Sequence, residues 1–349
     1  MNKLLLSKAA LTIVLLLTIG QSGHATSWRI NNNASRRAHF ADINAAMSSA
    51  DVVAGDTLYM DPGTSLAGDQ TVTKQVTIVG PGFFRGDAPH AFAYFQNRLY
   101  ITASNTKVEG IIMSSDDIYI RAQNVTIERC KFRTIYVGDS EYDNARYATI
   151  RQCYGGYIDG RGSTSNASAY CTVENCILIN SGYPSCLYRL YIPTIRHNYL
   201  KETEDNAVLS SLDNAIIQDN IILNSKKNTN LFSSVTNISD FSHNVMSCAE
   251  TTYSSIPSEN NKYGYTSEAD IFTLTGQNDQ RYQLKDDSPA KNYASEENGG
   301  GDCGPYGGLT PYVAGGMPNG YPYYTKAIIP AKSKNGKVNV SLKIKTQNE

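Results

Sequence analysis

From residue 125 onward the chain repeats one short phrase of alternating apolar and polar positions. The phrases are Val125–Cys130 (VTIERC), Ala148–Cys153 (ATIRQC), Cys171–Cys176 (CTVENC), Pro193–Asn198 (PTIRHN) and Ala215–Asn220 (AIIQDN), with a looser copy at Ser239–Asn244. Each closes on one slot, filled by Cys130, Cys153, Cys176, Asn198, Asn220 and Asn244, and the slot recurs every 22 to 24 residues. Three residues before it stand Ile127, Ile150, Val173, Ile195, Ile217 and Phe241; the positions on either side of these are Thr, Glu, Arg or Gln in most copies. A period of two with one apolar face is a half-buried strand.

One strand per repeat cannot bury its own apolar face. Stacking equivalent strands in parallel, ~4.8 Å apart, gives a continuous sheet and core. The pattern therefore predicts an all-β fold, a right-handed single-stranded parallel β-helix with coils of 22 to 24 residues. Its slot residue sits at a turn, where a buried Asn can satisfy its amide on neighbouring backbone and on the Asn of the next coil, and Cys fits the same small volume. Glu128, Arg151, Glu174 and Arg196 form a column of alternating charge that favours this register.

Outside the repeat the signals are weaker. Phe40, Ile43, Met47 and Ala50 have helical spacing and predict a short N-terminal helix capping the coil. Gly55–Met60, Val76–Val79, Leu99–Thr102, Lys107–Met113, Ile118–Ile120, Ile135–Val137 and Leu187–Ile192 read as further strands. After Asn260 the period is lost; Ile271–Leu274 and Tyr282–Lys285 read as short strands. Val338, Val340, Leu342 and Ile344 alternate with polar residues as a strand packed on Ile328 and Ile329, a small C-terminal β extension.

Residues 1–25 read as a signal peptide: Lys3 and Lys8, an apolar run over Ala9–Ile19, and the small-x-small site Gly23-His24-Ala25. No Cys at that site marks a lipid anchor, and no later segment is apolar enough to span a bilayer. The expected layout is a leader at 1–25, a coil at 26–308 and an extension at 309–349, in a secreted, periplasmic or cell-surface protein. The net charge of −1 gives no footprint for nucleic acid. Seven cysteines, an odd number, lack zinc spacing and three occupy the ladder, so they read as structural thiols.

Val76–Phe84 (VTIVGPGFF) after the helix and the Gly-Asp-Thr strand, the ladder, and Tyr282–Ala290 followed by Asp302–Gly308 (DCGPYGG) resemble the exported bacterial right-handed parallel β-helix proteins of the pectin-lyase-like superfamily. That resemblance implies the fold from about residue 38 to 313. It implies polysaccharide chemistry only where the family's motifs are matched. Asp116-Asp117 lacks the Gly-His-Gly and Arg-Ile-Lys companions of galacturonan hydrolases, and the signatures of calcium-dependent pectate lyases are absent, so no catalytic residue carries over.

The residues themselves leave loops and tyrosines. Asp139, Glu141, Asp143 and Arg146 share one loop, Asp159 and Arg161 the equivalent place one coil on, and Lys201, Glu202, Glu204 and Asp205 follow the Asn198 turn. Carboxylates beside cations can hold Ca²⁺, serve a lyase or a two-carboxylate hydrolase, or simply solvate turns. Tyr119, Tyr136, Tyr157, Tyr188 and Tyr191 fall in successive strands, as a sugar-stacking row or as sheet packing. The expected function is binding, and at such loops cleavage, of an extracellular polysaccharide. The alternative is a non-catalytic structural or adhesin-type surface protein whose C-terminal extension docks another surface protein.

Overall fold

The computed structural model describes residues 25–84, 92–139, 144–161, 168–182, 184–250, 259–276, 278–317, 322–328, 336–337 and 340–346. The predicted leader lies outside them apart from Ala25. The repeat folds as a parallel β-helix with three strands per coil. Ten strands, from Ser27–Ile30 to Asp240–Ser242, stack as the ladder sheet. Eight, from Gln70–Val72 to Phe232–Ser233, form a second side, here the tyrosine sheet. The third side has three strands ending at Ile112–Met113 and five beginning at Tyr154–Gly155. Lys131 joins these two groups by bridging Ile112 and Tyr154.

The predicted register holds in the ladder sheet. Val108, Ile127, Ile150, Val173, Ile195, Ile217 and Phe241 lie opposite one another on successive strands and are buried. Each such aliphatic side chain contributes about 1.5–3 kcal/mol of transfer free energy. On the outer face Arg151 reaches Glu128 at 3.0 Å and Arg196 reaches Glu174 at 2.8 Å. The slot residues are wholly buried. Asn220 Nδ2 donates to the Ile195 and Gln218 carbonyls at 2.9 and 2.7 Å, and its Oδ1 accepts from Asn198 N and Nδ2, both at 3.0 Å. In the Cys rungs the thiol of Cys176 lies 3.3 Å from the Glu174 carbonyl. All seven cysteines are free and buried.

The N-terminal helix is shorter than its spacing predicts. It spans Ile43–Ser48, because Phe40 instead bridges Ile30 and the chain is extended again at Ser49. Asp42 caps it, accepting from Ala45 N at 2.7 Å, and Ile43, Ala46 and Met47 are buried. The helix packs against Gln70–Val72, the outermost strand of the tyrosine sheet. The strand expected over Leu187–Ile192 shrinks to Leu187–Tyr188, since Arg189 and Ile192 turn into the left-handed region.

The segment after Asn260 is a strap rather than a continuation of the coil. Ile271–Leu274 and Tyr282–Lys285 are not strands; they share one antiparallel bridge, Phe272–Leu284, beside 3-10 turns at Glu268–Asp270 and Asn278–Tyr282. Their aromatic rings pack on the coil instead: Phe272 and Tyr282 sit 4.7 and 5.1 Å from Tyr199. With Ile177, Ile221 and Val245 they build a second apolar core over the third side.

The strap is tied down along one column. The residues just before the slot, Arg129, Gln152, Asn175, His197, Asp219 and His243, all have positive φ. Gln152 Nε2 donates to the Pro311 carbonyl at 2.6 Å, and Asn175 Nδ2 to the Pro305 and Gly307 carbonyls at 2.9 and 2.8 Å. Asp219 accepts from Ser295 N at 2.7 Å and from Asn298 Nδ2 at 2.5 Å. Beyond the strap, Pro322–Ile328 and Ser341–Thr346 pair antiparallel, the expected C-terminal extension. Its row Val340, Leu342 and Ile344 is about half exposed rather than packed.

Candidate functional site

Two neighbouring surfaces carry the candidate residues. The first is the outer face of the tyrosine sheet. Leu99, Ile118, Ile135, Ile158 and Leu187 point inward in register, which turns Tyr100, Tyr119, Tyr136, Asp159 and Tyr188 outward in one row. The rings of Tyr100, Tyr119 and Tyr136 follow one another at 5.0 and 4.8 Å. Tyr157 sets its hydroxyl 3.2 Å from that of Tyr136. Burial, then the contact with Tyr157, pushes the Tyr136 phenol up, so it stays neutral.

Arginines interleave with these rings. The Arg121 guanidinium stands 4.2 Å over Tyr100, Arg161 4.5 Å over Tyr136 and Arg189 4.6 Å over Tyr188. Asp117 takes Arg133 in a two-pronged pair at 3.1 and 3.0 Å, and Asp159 takes Arg189 at 2.9 and 2.7 Å. Asp139 accepts from Arg121 at 2.7 Å. Burial raises the Asp159 pKa, and Arg189 and Arg161 oppose that rise.

The second surface is a cleft of about 540 Å³ at the edge of this face, lined by Lys131, Arg133, Tyr154, Gly156, Tyr157 and Asn180 among others. It exists because one coil reads Tyr154-Gly-Gly-Tyr157. A Cβ at Gly156 would lie 2.6 Å from the Arg133 carbonyl, and one at Gly155 would meet the Phe132 ring at 2.4 Å. Lys131 occupies the outward position that Ile112 and Tyr154 fill on the adjoining coils. Its ammonium stands 4.8 Å over the Phe84 ring. Burial lowers its pKa, and no carboxylate among the described residues pairs with it. A half-buried cation in a concave site is a candidate for ligand binding. Lys131 suits an anionic group there; the tyrosine face suits hydroxyl-rich rings.

Of the residues expected from the sequence, Tyr136, Asp139, Asp159 and Arg161 share the tyrosine face. Arg146 lies half-buried at the corner between this face and the ladder sheet. Glu141 and Asp143 lie outside the described residues. The second group belongs elsewhere. Lys201 pairs with Glu268 of the strap at 2.9 Å. Glu202 is fully buried and accepts from Asn180 Nδ2 at 2.8 Å and Thr203 N at 3.0 Å. Glu204 pairs with Lys226 at 2.6 Å, with Asp205 at 3.8 Å from the same ammonium. The two expected clusters are thus not one site. Tyr191 leaves the row, bridging Asp213 instead.

Among the described residues no three His, Cys, Asp or Glu side chains converge to hold a metal ion. Asp139 and Asp159 are each held by an arginine, and Glu141 and Asp143, the other carboxylates of the loop expected to hold Ca²⁺, lie outside the described residues. Sequence patterning did not single out Tyr100, Arg121, Arg133 or Lys131, and it weighed Asp117 only as part of an Asp pair without its companion motifs. Lys131 had a signal: the residue after the slot is Tyr154, Ile177, Tyr199, Ile221 and Val245 in the other copies, and Lys only here. No family model, no curated protein and no solved structure matches the chain. No helix among the described residues is long and apolar enough to cross a membrane.

Proposed function

We propose that this is an exported protein that binds an extracellular polysaccharide along the tyrosine face, with an anionic substituent of the glycan seated in the Lys131 cleft. The observation that carries this reading is the row Tyr100, Tyr119 and Tyr136 with arginines over its rings, running at Arg133 and Tyr157 into the cleft. Flat rings take the apolar faces of sugars, guanidinium groups take their oxygens, and Lys131 takes a carboxylate or ester anion.

Native affinity gels containing neutral or uronate polysaccharides test it. Tyr119→Ala/Tyr136→Ala should lose retention on every gel that retards the wild type. Lys131→Met should lose it chiefly on uronate gels, with thermal stability kept or raised because the cost of half-burying a charge is removed. Full retention of both variants would refute this placement. A non-catalytic reading is favoured by one observation: Asp117 and Asp159 are each held by an arginine in two-pronged pairs, leaving neither free as a general base. Release of unsaturated uronates, or of new reducing ends, would overturn that part.

A further inference from the structure

Where the tyrosine sheet turns into the ladder sheet, one backbone position per coil adopts a left-handed conformation. The residues are Asn105, Asn124, Tyr147, Tyr170, Ile192, Asn214 and Asn237, with φ from 48 to 60°. Hydrogen bonds prove their equivalence: Asn124 N donates to the Arg146 carbonyl, Tyr147 N to Ala169, Tyr170 N to Tyr191 and Ile192 N to Asp213, each at 2.8–3.1 Å. Asn tolerates this conformation, whereas bulky and β-branched side chains are disfavoured there. Four coils obey that preference. Three consecutive ones, Tyr147, Tyr170 and Ile192, do not.

Core burial does not account for the two tyrosines. They are 49 and 47 % exposed, and their rings lie parallel, 9° apart, with centroids at 5.1 Å. Polar groups flank the stripe. On one side Gln123 and Asn144 hydrogen-bond each other beside Asn124; on the other, beyond Ile192, Asp213 accepts from Asn214 Nδ2 at 3.0 Å, Thr236 Oγ1 at 2.9 Å and Asn237 Nδ2 at 2.8 Å. The strands carrying Tyr136 and Asp159 belong to the same two coils as Tyr147 and Tyr170.

We infer that Tyr147 and Tyr170, with Ile192 beside them, form a second sugar-stacking patch, where a glycan lying on the tyrosine face makes further contact around the corner. This rests on the polysaccharide-binding reading. An aromatic stripe bordered by carboxamides and a carboxylate fits a pyranose, which has one apolar face and a rim of hydroxyls.

The neighbouring coils supply the test. Tyr147→Asn/Tyr170→Asn restores the residue that the other coils use, so Tm should hold or rise, while retention on gels of xylan, glucomannan, polygalacturonate or alginate should fall about tenfold, a loss near 1.4 kcal/mol. Tyr119→Ala/Tyr136→Ala runs alongside. If that variant loses retention and the double Asn variant does not, the corner patch is refuted and the main reading stands. If no gel retards the wild type, both fall. A lower Tm in the double Asn variant would make the rings structural. A wild-type dimer, seen by sedimentation, that this variant dissociates would make the patch a contact between copies. Either result overturns the inference.

Discussion

One buried slot per coil accepts two chemistries, and their hydrogen bonds differ. An Asn in the slot uses both amide protons on carbonyls and its oxygen on the preceding rung; Asn198 Oδ1 even accepts from Cys176 N at 2.9 Å, so the Asn run continues into the Cys run. In the Cys run the backbone N–H of Cys130 meets Cys153 Sγ at 3.5 Å, a weaker version of the same contact. Asn220→Ala removes these partners inside a fully buried network and should cost about 2–4 kcal/mol. Asn198→Cys puts into the slot what Cys176 already shows it can hold, and should cost roughly 1 kcal/mol. Urea unfolding of the two variants measures both; equal losses would mean that volume alone, not hydrogen bonding, matters at this slot. The slot was legible in the sequence because a buried amide tolerates few replacements. Tyr100 and Arg121 were less so: an outward residue on a strand of three residues, or one just past the end of such a strand, follows no longer pattern.

At the level of elements, legibility follows the number of buried faces. The ladder sheet alternates cleanly because one side is core and the other polar. The third side lies between two cores, so Ile177-Leu178 and Ile221-Ile222 are buried in succession and period two disappears. The strap has no period because each contact answers a different rung. Its most exacting contact is His197, which is 2 % exposed, with neither ring nitrogen in good hydrogen-bond geometry among the described residues. A Cβ added at Gly307 would lie 3.1 Å from Nδ1 and one at Gly308 2.6 Å from Nε2, so the strap passes directly over the ring. Burial lowers the His197 pKa; Asp219, with Oδ2 3.6 Å from Nε2, and the Asn298 and Asp302 backbone oppose this, and Arg196 adds to it. A lowered folded pKa means that the unfolded chain binds the proton more readily. Stability from this group is therefore complete above the unfolded value, ~6.5, and falls as pH drops through it toward the folded value. Thermal unfolding between pH 7.5 and 5 should show that decline, and His197→Leu should flatten it. A decline of the same size in that variant would assign it to other groups.

The whole molecule is a one-dimensional stack held by a cross-tie. In a solenoid each coil touches only its neighbours, so unfolding can begin at one end and proceed coil by coil. Here the strap spans the stack lengthwise: Arg129 lies 3.4 Å from the Met317 carbonyl, Asn175 holds Pro305 and Gly307, Asp219 holds Ser295 and Asn298, and Cys303 Sγ sits 3.1 Å from the His243 carbonyl. Losing the last coil therefore means detaching a segment that also ties down coils in the middle. That coupling should make unfolding cooperative over the tied coils. The seven buried thiols report on it without added probes, because burial raises the pKa of Cys130, Cys153, Cys171, Cys186 and Cys248 and leaves them unreactive until their coil opens. In wild-type protein, pulse alkylation mapped by mass spectrometry should label Cys153 in the middle and Cys248 near the end at the same urea concentration. Asn175→Ala/Asp219→Ala cuts two ties without touching the inner core. It should split the transition, with Cys248 labelled at lower urea than Cys153. Simultaneous labelling in that variant would mean that the coil-to-coil interfaces alone carry the cooperativity, and that the strap covers the third side without binding its coils together.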